Sequence, residues 1–117
     1  MTSSQPTLPD LIARLEKAEG PSRELDGLIA DAMGIAVDSE VGAFLPHFTR
    51  SVDHALWLVP AKHHVHMHFD LMDRDAKHLA GVCPLGENCG DYYSGATPAL
   101  ALCIAALKAR QQESERR

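Results

Sequence analysis

Residues 62–70 read KHHVHMHFD, and four of the chain's seven histidines fall there. Val65, Met67, Phe69 and Leu71 alternate with His64, His66, His68 and Asp70. A period of two predicts a half-buried strand. His64, His66 and His68 then project from one face, neighbours roughly 6–7 Å apart. Two imidazoles at i and i+2 can share one zinc ion, with bonds of about 2 Å. A third ligand from the same straight strand is stretched, which brings in His78 or Cys83. Two other readings compete with zinc: a surface facing a partner, and the solvated face that antiparallel sheets often present. The solvated face is the expectation adopted. A metal-binding module or metal-dependent hydrolase is the alternative.

Other residue types with chemistry are sparser. The stretch GDYYSG at 90–95 sets two tyrosines between glycines, just before Thr97-Pro98. Thr97 suits an N-cap and Pro98 the first helical position, and a helix N-terminus can hold an anion. Tyr92, Tyr93 and Thr97 are therefore candidates to cup a phosphorylated or nucleotide-like ligand, against the plainer reading of tyrosines folded over the core edge. Trp57 joins them because it lies off the apolar stripe of its own segment. Cys83 and Cys89 have five residues between them, a wide gap for a zinc knuckle. They read as one small core residue and one loop thiol, and Cys103, inside an apolar run, reads as packing. Asp31, Asp38, Asp70, Asp73 and Asp75 are spaced like caps and turns. G-x-S-x-G and G-x-x-x-x-G-K-[ST] do not occur, so binding is favoured over catalysis.

These residues need a scaffold. Leu8, Leu11, Ile12 and Leu15 form one stripe, with Thr7 as cap and Gly20-Pro21 as stop, predicting a helix over 8–19. Ser22 caps a second over 22–33, closed by Gly34, with Leu25, Leu28, Ile29 and Ala32 as its stripe. Ile35 and Val37 can start a short strand. Phe44, Leu45, Pro46 and Phe48 suit a loop anchored by its aromatics. Thr49 or Ser51 caps a third helix over 51–59, stopped by Pro60. Residues 63–71 and 77–83 are predicted to pair as antiparallel strands across a turn at Asp73-Arg74-Asp75, and 84–96 is predicted to be a long loop. The last helix, over 98–112, is apolar nearly all round, which predicts burial on several sides. The order describes one α+β domain over 1–117: a small, mainly antiparallel sheet layered with helices.

Composition narrows the partners. The chain carries a net charge of −5, which disfavours a nucleic-acid backbone as partner. Its longest apolar run, 99–107, is too short to span a bilayer. The start MTSSQPTLPD lacks a basic, apolar leader. Three cysteines are an odd number, which predicts a cytoplasmic, reduced protein without a disulfide framework. An all-round apolar last helix and a histidine face in need of cover predict a homo-oligomer.

Three stretches, LIARLEKAEGPSRELDGLIADAMG at 11–34, FTRSVDHALWLVP at 48–60 and ATPALALCIAALKAR at 96–110, resemble the phage ABA-sandwich domain family of phage and prophage proteins. The likeness covers roughly half of the chain, and the histidine run departs from it. It implies an α-β-α sandwich and a phage origin, and it carries no catalytic residue onto this chain. The expected function is that of a small accessory protein acting by binding, as a counter-defence protein that engages a host defence protein or sequesters a nucleotide-like signalling molecule. No cofactor is expected, zinc at His64, His66 and His68 being the alternative.

Overall fold

A computed structural model describes residues 7–34, 46–68, 78–86 and 92–115. The elements in order are α1 (Leu8–Lys17), α2 (Arg23–Met33), α3 (Val52–Ala55), a 3-10 turn (Leu56–Leu58), β1 (His63–His68), β2 (His78–Pro84), β3 (Tyr93–Gly95) and α4 (Pro98–Glu115). The fold is α+β, with helices packed on a three-stranded antiparallel sheet of order β1-β2-β3.

Local chemistry sets the helix ends. Thr7 Oγ1 accepts from the Asp10 amide at 3.4 Å, Ser22 Oγ from Leu25 at 3.2 Å, and Thr97 Oγ1 from Leu100 at 3.1 Å, each satisfying an amide that the first turn leaves unpaired. Gly34, at φ 72°, closes α2 in the left-handed region where a side chain is disfavoured. Ser51, not Thr49, caps α3. The third helix is also shorter than its stripe predicts, because the chain tightens into the 3-10 turn before Pro60.

α4 is the hub. Every residue from Ala99 to Leu107 is buried. β2 and β3 pack on α4, as do α1, α3 and the 3-10 turn. One chain therefore covers the apolar helix, and its composition by itself calls for no partner subunit. Fully burying a leucine contributes roughly 1.5–3 kcal/mol, so Leu100, Leu102 and Leu107, each at 0 % exposure, make α4 the main source of core stability. Gly95 allows the closest approach: a Cβ there would lie 2.5 Å from the Ala101 amide nitrogen.

The predicted hairpin forms. Val65 pairs with Val82 and Met67 with Ala80, and Val65, Met67, Val82, Ala80 and Tyr93 all pack into the core. Alternate residues take the opposite face, where His64 pairs with Cys83, His66 with Gly81 and His68 with Leu79. His66 and His68 are exposed and His64 is half-buried. Residues 93–95, expected within a long loop, instead form β3, with Leu79 opposite Ser94 and Ala80 opposite Tyr93. The expected strand at Ile35 and Val37, the anchors Phe44 and Leu45, the turn at Asp73-Arg74-Asp75, and Asp38, Asp70 and Cys89 lie outside the described residues. Phe48 is a buried anchor, at 0 % exposure.

Candidate functional site

Two adjoining clefts meet where the start of α2 touches residues 46–54. Pro21, Ser22, Arg23, Asp26, His47 and Arg50 line one of about 400 Å³. His47, Arg50, Ser51 and His54 line the other, of about 440 Å³. His47 and Arg50 therefore line both clefts, with Arg23 in the first and His54 in the second.

A buried polar staple holds this wall together. Asp26 is 1 % exposed and Thr49 is 0 % exposed. Thr49 donates its amide to Asp26 Oδ1 at 2.8 Å, and its hydroxyl lies 2.8 Å from the same oxygen. The Ser22 amide donates to Thr49 Oγ1 at 2.9 Å. Arg23 Nη1 donates to Asp26 Oδ2 at 2.9 Å and to His47 Nδ1 at 2.9 Å. The Asp26 charge is thus met by donors on the inner side, as a buried carboxylate requires.

The same bonds settle which imidazole nitrogens accept. A guanidinium only donates, so His47 Nδ1 accepts. The His47 amide donates to His54 Nδ1 at 2.9 Å, so that nitrogen accepts too. Both rings therefore carry their proton on Nε2. They stack with centroids 6.0 Å apart, and His54 meets Trp57 at 4.9 Å. Trp57 is 59 % exposed, an aromatic surface beside the cationic wall. Arg50 is exposed, and among the described residues its guanidinium enters no hydrogen bond or ion pair.

The residues singled out from sequence fall in several places. Trp57 adjoins this wall through His54. Tyr92, exposed, meets the His68 ring edge-on at 4.8 Å on the open sheet face. Tyr93 packs against the core with Lys108 Nζ 5.4 Å above its ring, and the Thr97 hydroxyl caps α4. His64 and His66 stack edge-on at 4.8 Å. Among the described residues, no group of three or more His, Cys, Asp or Glu is arranged to hold a metal ion.

Two cysteine readings change. Cys83 is disulfide-bonded, where an odd cysteine count suggested thiols throughout, and its partner lies outside the described residues. Cys103 is a free, buried thiol that donates to the Phe48 carbonyl at 3.0 Å. Burial pushes its pKa far up, and the nearby Asp26 charge adds to this.

Arg23, His47, Arg50 and His54 were not legible as a site. The net charge of −5 concealed the meeting of two arginines here, and the sequence signal for it is the spacing of His47, Arg50 and His54 around a helix cap.

Comparison of the chain with protein-family models, with curated proteins and with solved structures gave no match. Among the described residues, no helix is long and apolar enough to cross a membrane.

Proposed function

We propose that the protein is a non-catalytic binding protein for a phosphorylated, nucleotide-like small molecule, held in the cleft of Arg23, His47, Arg50 and His54. The observation that carries this reading is that His47 and Arg50 line two adjoining clefts, with Arg23 in one, His54 in the other and the exposed Trp57 against His54. Arginine suits phosphate because its planar fork donates in pairs. Nε2–H groups add neutral donors. Trp57 offers a flat apolar surface on which a base can stack, an interaction worth roughly 1–3 kcal/mol per base. Asp26 also lines the cleft, where its Oδ2 is bonded by the Arg23 guanidinium and its Oδ1 by Thr49.

The likeness to phage ABA-sandwich domain proteins supports the biological setting: a cytoplasmic, phage-encoded accessory protein that sequesters a host signalling nucleotide or engages a host defence protein. Homo-oligomerisation would fall to the open sheet face of His66, His68 and Leu79, because α4 is already covered. Sedimentation of the wild type against Leu79→Glu checks this, and a monomer in both removes the oligomer from the reading.

The test uses the chain's single tryptophan as its own reporter. Nucleoside mono- and diphosphates, and pyrophosphate, are titrated while Trp57 fluorescence and heat are followed. Binding of a nucleotide with a change in Trp57 emission supports the reading. No binding of any of these probes at millimolar concentration overturns it.

A further inference from the structure

β1 sets a pair of imidazoles on the open face of the sheet, away from the anion cleft. His66 and His68 are both exposed, and they stand two residues apart on one face of the strand. Among the described residues neither ring enters a hydrogen bond or ion pair, whereas His47, His54, His63 and His64 each hold a bond. Each of the two rings is steadied instead by a neighbouring ring met edge-on: His66 by His64 and His68 by Tyr92, both with centroids 4.8 Å apart. His64 is turned toward β2, its Nε2 2.7 Å from Cys83 Sγ, so it braces the pair.

We propose that His66 and His68 form a two-imidazole zinc site, closed by the same two residues of a second copy of the chain. Histidine is the commonest metal ligand, and imidazole suits zinc. Side chains two apart on a strand lie roughly 6–7 Å apart, so an ion between them can bond both rings at about 2.0–2.1 Å. Neither ring has a protein hydrogen bond to give up when the ion arrives. A closed zinc site takes four ligands, and among the described residues no group of three or more His, Cys, Asp or Glu is arranged to hold a metal ion. One chain therefore supplies half a site, and two chains related by a two-fold axis supply a whole one. Leu79, the ladder partner of His68, is 37 % exposed beside the pair, and the same contact covers it. The ion joins two finished folds and makes neither, because α4 and the sheet already bury the core of each chain.

Sedimentation velocity of the untagged, full-length protein at neutral pH tests this, with EDTA, with magnesium and with zinc. A calorimetric zinc titration gives the stoichiometry. The protein should be a monomer in EDTA and in magnesium and a dimer in zinc, with the titration ending at one zinc per two chains. His66→Gln and His68→Gln should each stay monomeric at the zinc concentration that dimerises wild type, because an amide is not among the usual zinc ligands. His63→Gln, on the same strand but one residue out of phase, should dimerise as wild type does. Both substituted ligands are exposed, and circular dichroism checks that each variant folds. A wild type that stays monomeric in zinc overturns the proposal, as does uptake of one zinc per chain by a monomer, which is an ion on an open surface. Dimerisation of either ligand variant at the wild-type zinc concentration overturns it too. The site shares its face with the oligomer proposed above, and EDTA separates the two: a dimer that survives EDTA keeps that oligomer and overturns the zinc site.

Discussion

Thr49 directs both its amide and its hydroxyl at a single oxygen of Asp26, each at 2.8 Å. The other oxygen of Asp26 takes the Arg23 guanidinium. Through one buried carboxylate, the residues before α3 are fastened to the first turn of α2, and His47 and Arg50 are placed opposite Arg23. The cleft wall is therefore a product of the core.

Thr49→Val keeps the shape and removes the hydroxyl. It leaves Asp26 Oδ1 with one donor fewer in a buried setting, which costs about 1–3 kcal/mol. Urea unfolding should show that loss, and Thr49→Ser should recover most of it.

Arg50→Ala should leave the urea midpoint unchanged, because the side chain is exposed and unbonded among the described residues. It should weaken nucleotide and pyrophosphate binding on the order of tenfold, the loss expected for one charged contact. Trp57→Ala should weaken nucleotides while sparing pyrophosphate. Titration calorimetry separates the two effects, and raised salt should weaken wild-type binding to both probes.

Gly95→Ala places a methyl group 2.5 Å from the Ala101 amide nitrogen and 2.9 Å from its Cα. Backbone cannot yield as a side chain tip can, so β3 must move off α4. A loss of roughly 1–3 kcal/mol is expected, read as a lower melting temperature.

Cys103 titrates in the unfolded chain near its ordinary value of 9.0 and stays protonated well above that in the fold. Its folded pKa is raised, so its contribution to stability is complete below pH 9.0. That contribution falls as pH climbs above this value toward the folded one, by about 1.4 kcal/mol per pH unit. Cys103→Ala should flatten that part of the stability–pH curve, measured by urea unfolding from pH 7 to 10.5. Native Cys103 should also resist iodoacetamide at pH 8, because the thiol is buried.

How far sequence reading reached follows from the range of each interaction. The caps at Thr7, Ser22 and Thr97 and the alternation around His64, His66 and His68 are local, and each was legible. β3 was not, because three residues beside glycines carry no periodicity and Tyr93 is held by Ala80 across the sheet. Thr49 looked like a cap because it precedes a helix, yet its partner is Asp26, far away in sequence. The cleft was hidden for the same reason: Arg23 and His47 meet only after that staple closes. The Cys83 disulfide was missed because cysteine parity constrains the count of thiols and not their pairing.

α1, α3, β2 and β3 all rest on α4, and α4 follows every one of them in the chain. During synthesis the earlier elements leave the ribosome before the helix that joins them exists. Until Pro98 and the residues after it emerge, Leu11, Leu15, Leu58 and Ala80 lack the surface that buries them. Long-range closure of this kind is slow and exposes apolar surface meanwhile. A nascent chain stalled before Pro98 should therefore be a client for holding chaperones, and one extended past α4 should not.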